Sequence, residues 1–95
     1  MHAYELMYIV RPDLDEETVQ SVVDRINAVI TNNGGQVDQT EKMGKRRLAY
    51  DIKGYSEGIY TVVQFHAEPT LIQELQRQLR LNDHILRHLV IREDD

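Results

Sequence analysis

The spacing of apolar residues changes repeatedly along the chain, and that alternation limits the fold more than any other feature. Val19, Val22, Val23, Ile26, Val29 and Ile30 recur at three-and-four spacing, the period of a helix with one buried face. Asp15 precedes them as an N-cap, and Glu16 and Glu17 form an acidic first turn that the helix dipole favours. Asn32-Asn33-Gly34-Gly35 ends the run with residues that accept the left-handed conformation common at helix termini. A second helix is predicted after Glu68-Pro69-Thr70, where Thr70 and Gln73 have capping-box spacing. Ile72, Leu75 and Leu79 are its apolar stripe, and Asn82-Asp83 closes it.

The remaining segments read as strands. Residues 4–10 are rich in β-branched and aromatic side chains and end at the Arg11-Pro12-Asp13 turn. From Gln36 to Ile52 the helical period is lost. Leu48, Tyr50 and Ile52 alternate there with Arg47, Ala49 and Asp51, and Gly44 marks a place to bend. A hairpin loop is expected over residues 53–58, then a central strand over 59–65, and a fourth strand over 85–92.

The order βαββαβ is the split βαβ pattern of an α+β domain, usually one four-stranded antiparallel sheet with both helices on one face. A chain of 95 residues encloses a single core, so residues 1–95 form one domain. Two-residue alternation then turns Leu6, Tyr8, Val10, Thr61, Val63 and Phe65 toward the helices, and Met7, Ile9, Tyr60 and Val62 away from them. A wetted sheet face normally carries polar residues, so this apolar group is expected to be a docking surface.

The net charge of −5 argues against a surface that clings everywhere to nucleic acid or anionic lipid. Its distribution is uneven. Lys42, Lys45, Arg46, Arg47 and Lys53 face only Asp51 within residues 42–53, a local +4 that leaves −9 elsewhere. Guanidinium forks and a nearby glycine suit phosphate oxygens, though a charge run can also be a solvated face neutralised within the chain. By alternation Arg46 is expected at the end of the core-facing row with Leu48 and Tyr50, and Lys45 and Arg47 on the open side.

Other chemistries lack their residues. With no cysteine there is no disulfide, thiolate nucleophile or cysteine metal site. Ser21 and Ser56 have no oriented base, and His84 and His88 flank the start of a strand, where a spacing of four does not bring two rings together as it does on a helix. The glycine pairs do not form a phosphate loop. The third strand departs from the RNA-recognition motif, with Glu57 in place of a cation and Ile59 and Thr61 in place of aromatics. No span of apolar residues is long enough for a membrane helix and the start is unlike a signal peptide, so a cytoplasmic protein without a membrane partner is expected.

Tyr4-Glu5, Arg11-Pro12-Asp13, the run from Lys45 to Ile52, Gly58-Ile59-Tyr60 and Ile85-Leu86-Arg87-His88 together resemble the bacterial small-subunit ribosomal protein S-six family. The likeness covers essentially the whole chain, and Arg46-Arg47-Leu48-Ala49-Tyr50 is its distinctive core. It implies a ferredoxin-like structural subunit of the ribosome, with no catalysis and no cofactor. It further implies pairing with the eighteenth small-subunit ribosomal protein and joint binding to the central domain of small-subunit (16S) ribosomal RNA, aiding assembly. On that basis Met7, Ile9, Tyr60 and Val62 are candidates for the protein partner, and Lys42, Lys45, Arg46, Arg47, Lys53, Arg87 and Arg92 for the RNA. A basic partner would supply attraction that an acidic chain lacks. Family members often continue into a charged tail where this chain has the acidic end Glu93-Asp94-Asp95, expected to stay unpacked, and Val62 replaces an aromatic carried by some relatives, leaving more to Tyr60. The rival reading is a regulatory or small-molecule-binding module that self-associates through its sheet. Mass in solution separates the two, because the ribosomal reading expects an isolated monomer.

Overall fold

The computed structural model describes residues 1–93. Its elements run β1 (His2–Val10), α1 (Glu16–Asn32), β2 (Gln36–Ile52), β3 (Tyr55–Ala67), α2 (Pro69–Leu81) and β4 (Ile85–Arg92). All pairings are antiparallel, in the order β2-β3-β1-β4, which is the expected ferredoxin-like βαββαβ arrangement. The expected acidic end lies, at Asp94 and Asp95, outside the described residues; Glu93 donates its backbone N–H to the Ala3 carbonyl at 2.8 Å.

Helix α1 starts as its sequence demands. Asp15 is extended and its Oδ1 accepts the Thr18 N–H at 2.8 Å, satisfying one of the free donors of the first turn. Helix α2 does not use the expected capping box. Glu68 is its cap residue, without a side-chain bond, and Pro69 opens the first turn, where its missing N–H costs nothing. Its buried stripe is Leu71, Leu75 and Leu79, with Ile72 only partly covered.

One core lies between the sheet and the helices. Leu6, Tyr8 and Val10 from β1, Val63 and Phe65 from β3, and Val22, Val23, Ile26 and Ile30 from α1 are buried there, and Thr61 lies fully buried among them. Burial pushes the Tyr8 phenol well above its ordinary pKa, which keeps it neutral.

A second, smaller cluster occupies the opposite face and overturns two expectations. Ile9, placed by alternation on the open face, is only 6% exposed because Leu48 of β2 and Leu86 of β4 pack with it. Leu48 can get there because β2 is irregular. Its pairing shifts around Gly44 (φ 81°), and again between Arg47 and Ile52, where residues 48–51 stand opposite Ser56 alone. The extra residues bend the hairpin across the sheet. The expected loop over 53–58 is a two-residue turn, Lys53-Gly54, with both φ angles positive (52° and 86°), and β3 begins at Tyr55.

Gly58 makes this closure possible. A Cβ there would lie 2.2 Å from Ile9 Cγ2 and 3.6 Å from Leu48 Cδ2. Gly58→Ala should therefore force apart the small cluster and lower stability by about 1–3 kcal/mol. Urea unfolding measures it, and an unchanged midpoint would show that the hairpin relaxes freely.

Candidate nucleic-acid interface

Pairing register decides which way the basic residues of β2 point. Lys42 stands opposite Thr61 and Lys45 opposite Ile59, both of which belong to the helix side, so Lys42 and Lys45 emerge on that side and Arg47 follows in phase. Arg46 pairs with Gly58, whose missing Cβ would point at Ile9, and so it emerges on the open face with Leu48. The expected sides are therefore reversed. The bulge near Gly44 inserts one residue, and one residue in a strand inverts every later side chain.

The result is a hairpin with cations on both flanks. Lys45, Arg46, Arg47 and Lys53 are exposed, and Lys42 donates to Gln20 Oε1 of α1 while remaining exposed. Arg87, opposite Ile9, reaches the bent hairpin. Its guanidinium lies over the Tyr50 ring, 5.6 Å from the centroid, and donates to the Tyr50 hydroxyl. Arg92 is not brought to this group. It pairs with Tyr4 at the other end of the sheet, its Nη2 2.7 Å from His2 Nδ1.

Sequence reasoning missed Arg11 and Tyr55, which hold the hairpin from below. Arg11 donates two bonds to Asp13, from Nε at 3.1 Å and Nη2 at 2.9 Å, and the Tyr55 hydroxyl donates to Asp13 Oδ2 at 3.3 Å. The Arg11 guanidinium holds Asp13 below the usual carboxylate range. The folded state thus binds this proton more weakly than the unfolded chain. The contact contributes its stability above the unfolded carboxylate pKa, near about 4, and loses it as pH falls through the lower folded value. On acidification the Tyr55 ring resonances should move toward exposed positions only below that pH; movement already near neutrality would exclude Asp13 as the anchor.

The open face is apolar along its centre. Met7 lies between Val62 of β3 and Leu89 of β4, and Tyr60 flanks the buried Ile9. Leu89 is 51% exposed and Ile91 46%, so β4 carries the most exposed apolar residues of the patch. Both went unnoticed in the sequence, although the alternation Arg87, Leu89, Ile91 in β4 marks them. Gln64 and Glu5, joined at 2.9 Å, and the His66–Asp38 pair at 2.5 Å form a polar rim at the far end. Among the described residues no group of three or more histidine, cysteine or carboxylate side chains could hold a metal ion.

Sheet order and helix placement define a ferredoxin-like α+β domain, which here carries a basic hairpin beside an apolar sheet face. The family model described as "Ribosomal protein S6" matches residues 3–92. The small ribosomal subunit protein bS6 of Desulforamulus reducens is 44% identical over 95 residues, all of both chains. That of Carboxydothermus hydrogenoformans is 46% identical over 94 residues, 99% of this chain and 98% of the other. The crystal structure of 30S ribosomal protein S6 from Thermotoga maritima superposes with a TM-score of 0.93 at 35% identity, covering 97% of this chain and 87% of that one. The C-terminal domain of MgtC from Mycobacterium tuberculosis (TM-score 0.66, 15% identity) shares the fold alone. The chain belongs to the ribosomal protein S6 family. It is thus a structural protein of the small subunit of the bacterial ribosome, in the cytoplasm, and not an enzyme.

Proposed function

We propose that this protein binds small-subunit (16S) ribosomal RNA jointly with the eighteenth small-subunit ribosomal protein, and that the pair helps the central domain assemble. The observation that carries the proposal is the adjacency of two surfaces on one hairpin. Its basic residues border an apolar sheet face that its own Leu48 and Tyr50 partly overhang. Met7, Tyr60 and Val62, with Leu89 and Ile91, offer area to the protein partner, and Ile9 supports them from beneath. Lys42, Lys45, Arg46, Arg47 and Lys53 meet phosphates. Arg87 contributes from the hairpin side and Arg92 from the far end of the sheet. A joint surface also fits the overall charge of −5, since a basic partner offsets the repulsion between this chain and RNA.

Binding of a central-domain RNA fragment, measured at two salt concentrations for each protein alone and for the pair, tests the reading. Tight, salt-sensitive binding by the pair only is expected. Arg46→Ala combined with Arg47→Ala should weaken it and reduce the slope of log affinity on log salt by about 2. An unchanged slope would remove both arginines from the interface, and RNA binding indifferent to this protein would defeat the proposal.

A further inference from the structure

The helix side of the hairpin holds a cleft of which the joint-binding reading uses only two rim lysines, Lys42 and Lys45. It has a volume of about 590 Å³ and lies between the first turns of α1 and the bulged part of β2. Leu14, Val19 and Ile59 make it apolar. Thr61 also lines it, with its hydroxyl buried behind the wall beside the Tyr8 hydroxyl.

The two rims of the cleft differ in charge. Lys42 and Lys45 stand on the β2 side, in phase with Arg47, so a polyanionic strand following these cations passes over the opening. Glu16 and Glu17 stand on the α1 side and are acceptors only. Cations at the mouth, an apolar interior and carboxylate acceptors match one unpaired nucleotide. Its phosphate would meet the lysines, its base would lie against the aliphatic walls, and an exocyclic amino group would donate to a carboxylate.

We infer that this cleft between α1 and β2 binds a single unstacked RNA nucleotide whose base carries an exocyclic amino group, as cytosine, adenine and guanine do and uracil does not. The inference rests on the RNA-binding reading above and deepens it, because it adds base recognition to what would otherwise be contact with phosphates alone. Uracil lacks that amino group and offers Glu16 and Glu17 only a ring N3–H flanked by two carbonyl oxygens, which the carboxylates repel.

Titration of the full chain with cytidine monophosphate and, separately, uridine monophosphate, followed by amide and methyl NMR, tests it. The cytidine nucleotide should shift residues 14–20, 42–45 and 59–61 and bind about tenfold more tightly than the uridine one, the factor expected for one bond to a charged acceptor. Glu16→Ala with Glu17→Ala, which removes both acceptors, should erase the preference. Equal affinity for both nucleotides, or shifts elsewhere only, would overturn the assignment. If neither nucleotide shifts the cleft while the paired proteins still bind the RNA fragment, the cleft proposal falls and the ribosomal reading stands. Failure of the pair to bind the fragment would overturn both.

Discussion

Replacing Phe65 by alanine should destabilise the fold by about 3–5 kcal/mol, the usual cost of emptying a well-packed aromatic site. Phe65 is 1% exposed and its ring stacks on that of Tyr4, with centroids 5.4 Å apart and planes at 21°. It stands opposite Tyr4 of β1 and Val37 of β2, so its ring joins three of the four strands on their helix side. A truncated side chain leaves a cavity that paired backbones on both sides cannot close. Because small domains are stable by about 5–15 kcal/mol, such a loss takes a large share of the total. Urea unfolding followed by far-UV circular dichroism should show a much lower midpoint at unchanged slope. A loss below about 1 kcal/mol would mean that the core repacks around the gap.

Leu89→Asp should weaken pairing with the proposed ribosomal partner strongly while leaving the fold intact. Leu89 is 51% exposed on the edge strand β4 and lies beside Met7, so the isolated protein loses little when it changes. In a complex the same position would be buried, and an aspartate there would be a charge without a counterion. The expected effect is at least about 2 kcal/mol in binding, roughly thirtyfold. Calorimetric titration with the partner measures it, and the thermal melt of the variant alone supplies the control. Full-strength pairing would move the interface off this face. Tyr60→Asp is a less clean probe, since Tyr60 packs on the Ile9, Leu48 and Leu86 cluster and its loss also disturbs the hairpin.

The helix side of the architecture was legible in the residues. Helical spacing of Val19 to Ile30, the Asp15 cap and the two-residue alternation of β1 and β3 each act over a few neighbouring residues, and local sterics and burial decide them. The α2 start was misread because Thr70 and Gln73 have the spacing of a capping box, while Pro69 fixes the first turn one residue earlier.

The sequence by itself determined that the chain makes one sheet with two helices, that its opposite face is apolar, and that its cations gather in one hairpin; the family motif from Arg46 to Tyr50 was readable there too. Only the tertiary structure decided which way those cations point, that Ile9 is covered, and that Leu89 and Ile91 lead the exposed patch. The physical reason is the period of two in a strand. A bulge at Gly44 adds a single residue, and the extra residues at 48–51 bend the tip over the sheet; neither changes composition, and each reassigns what the side chains meet.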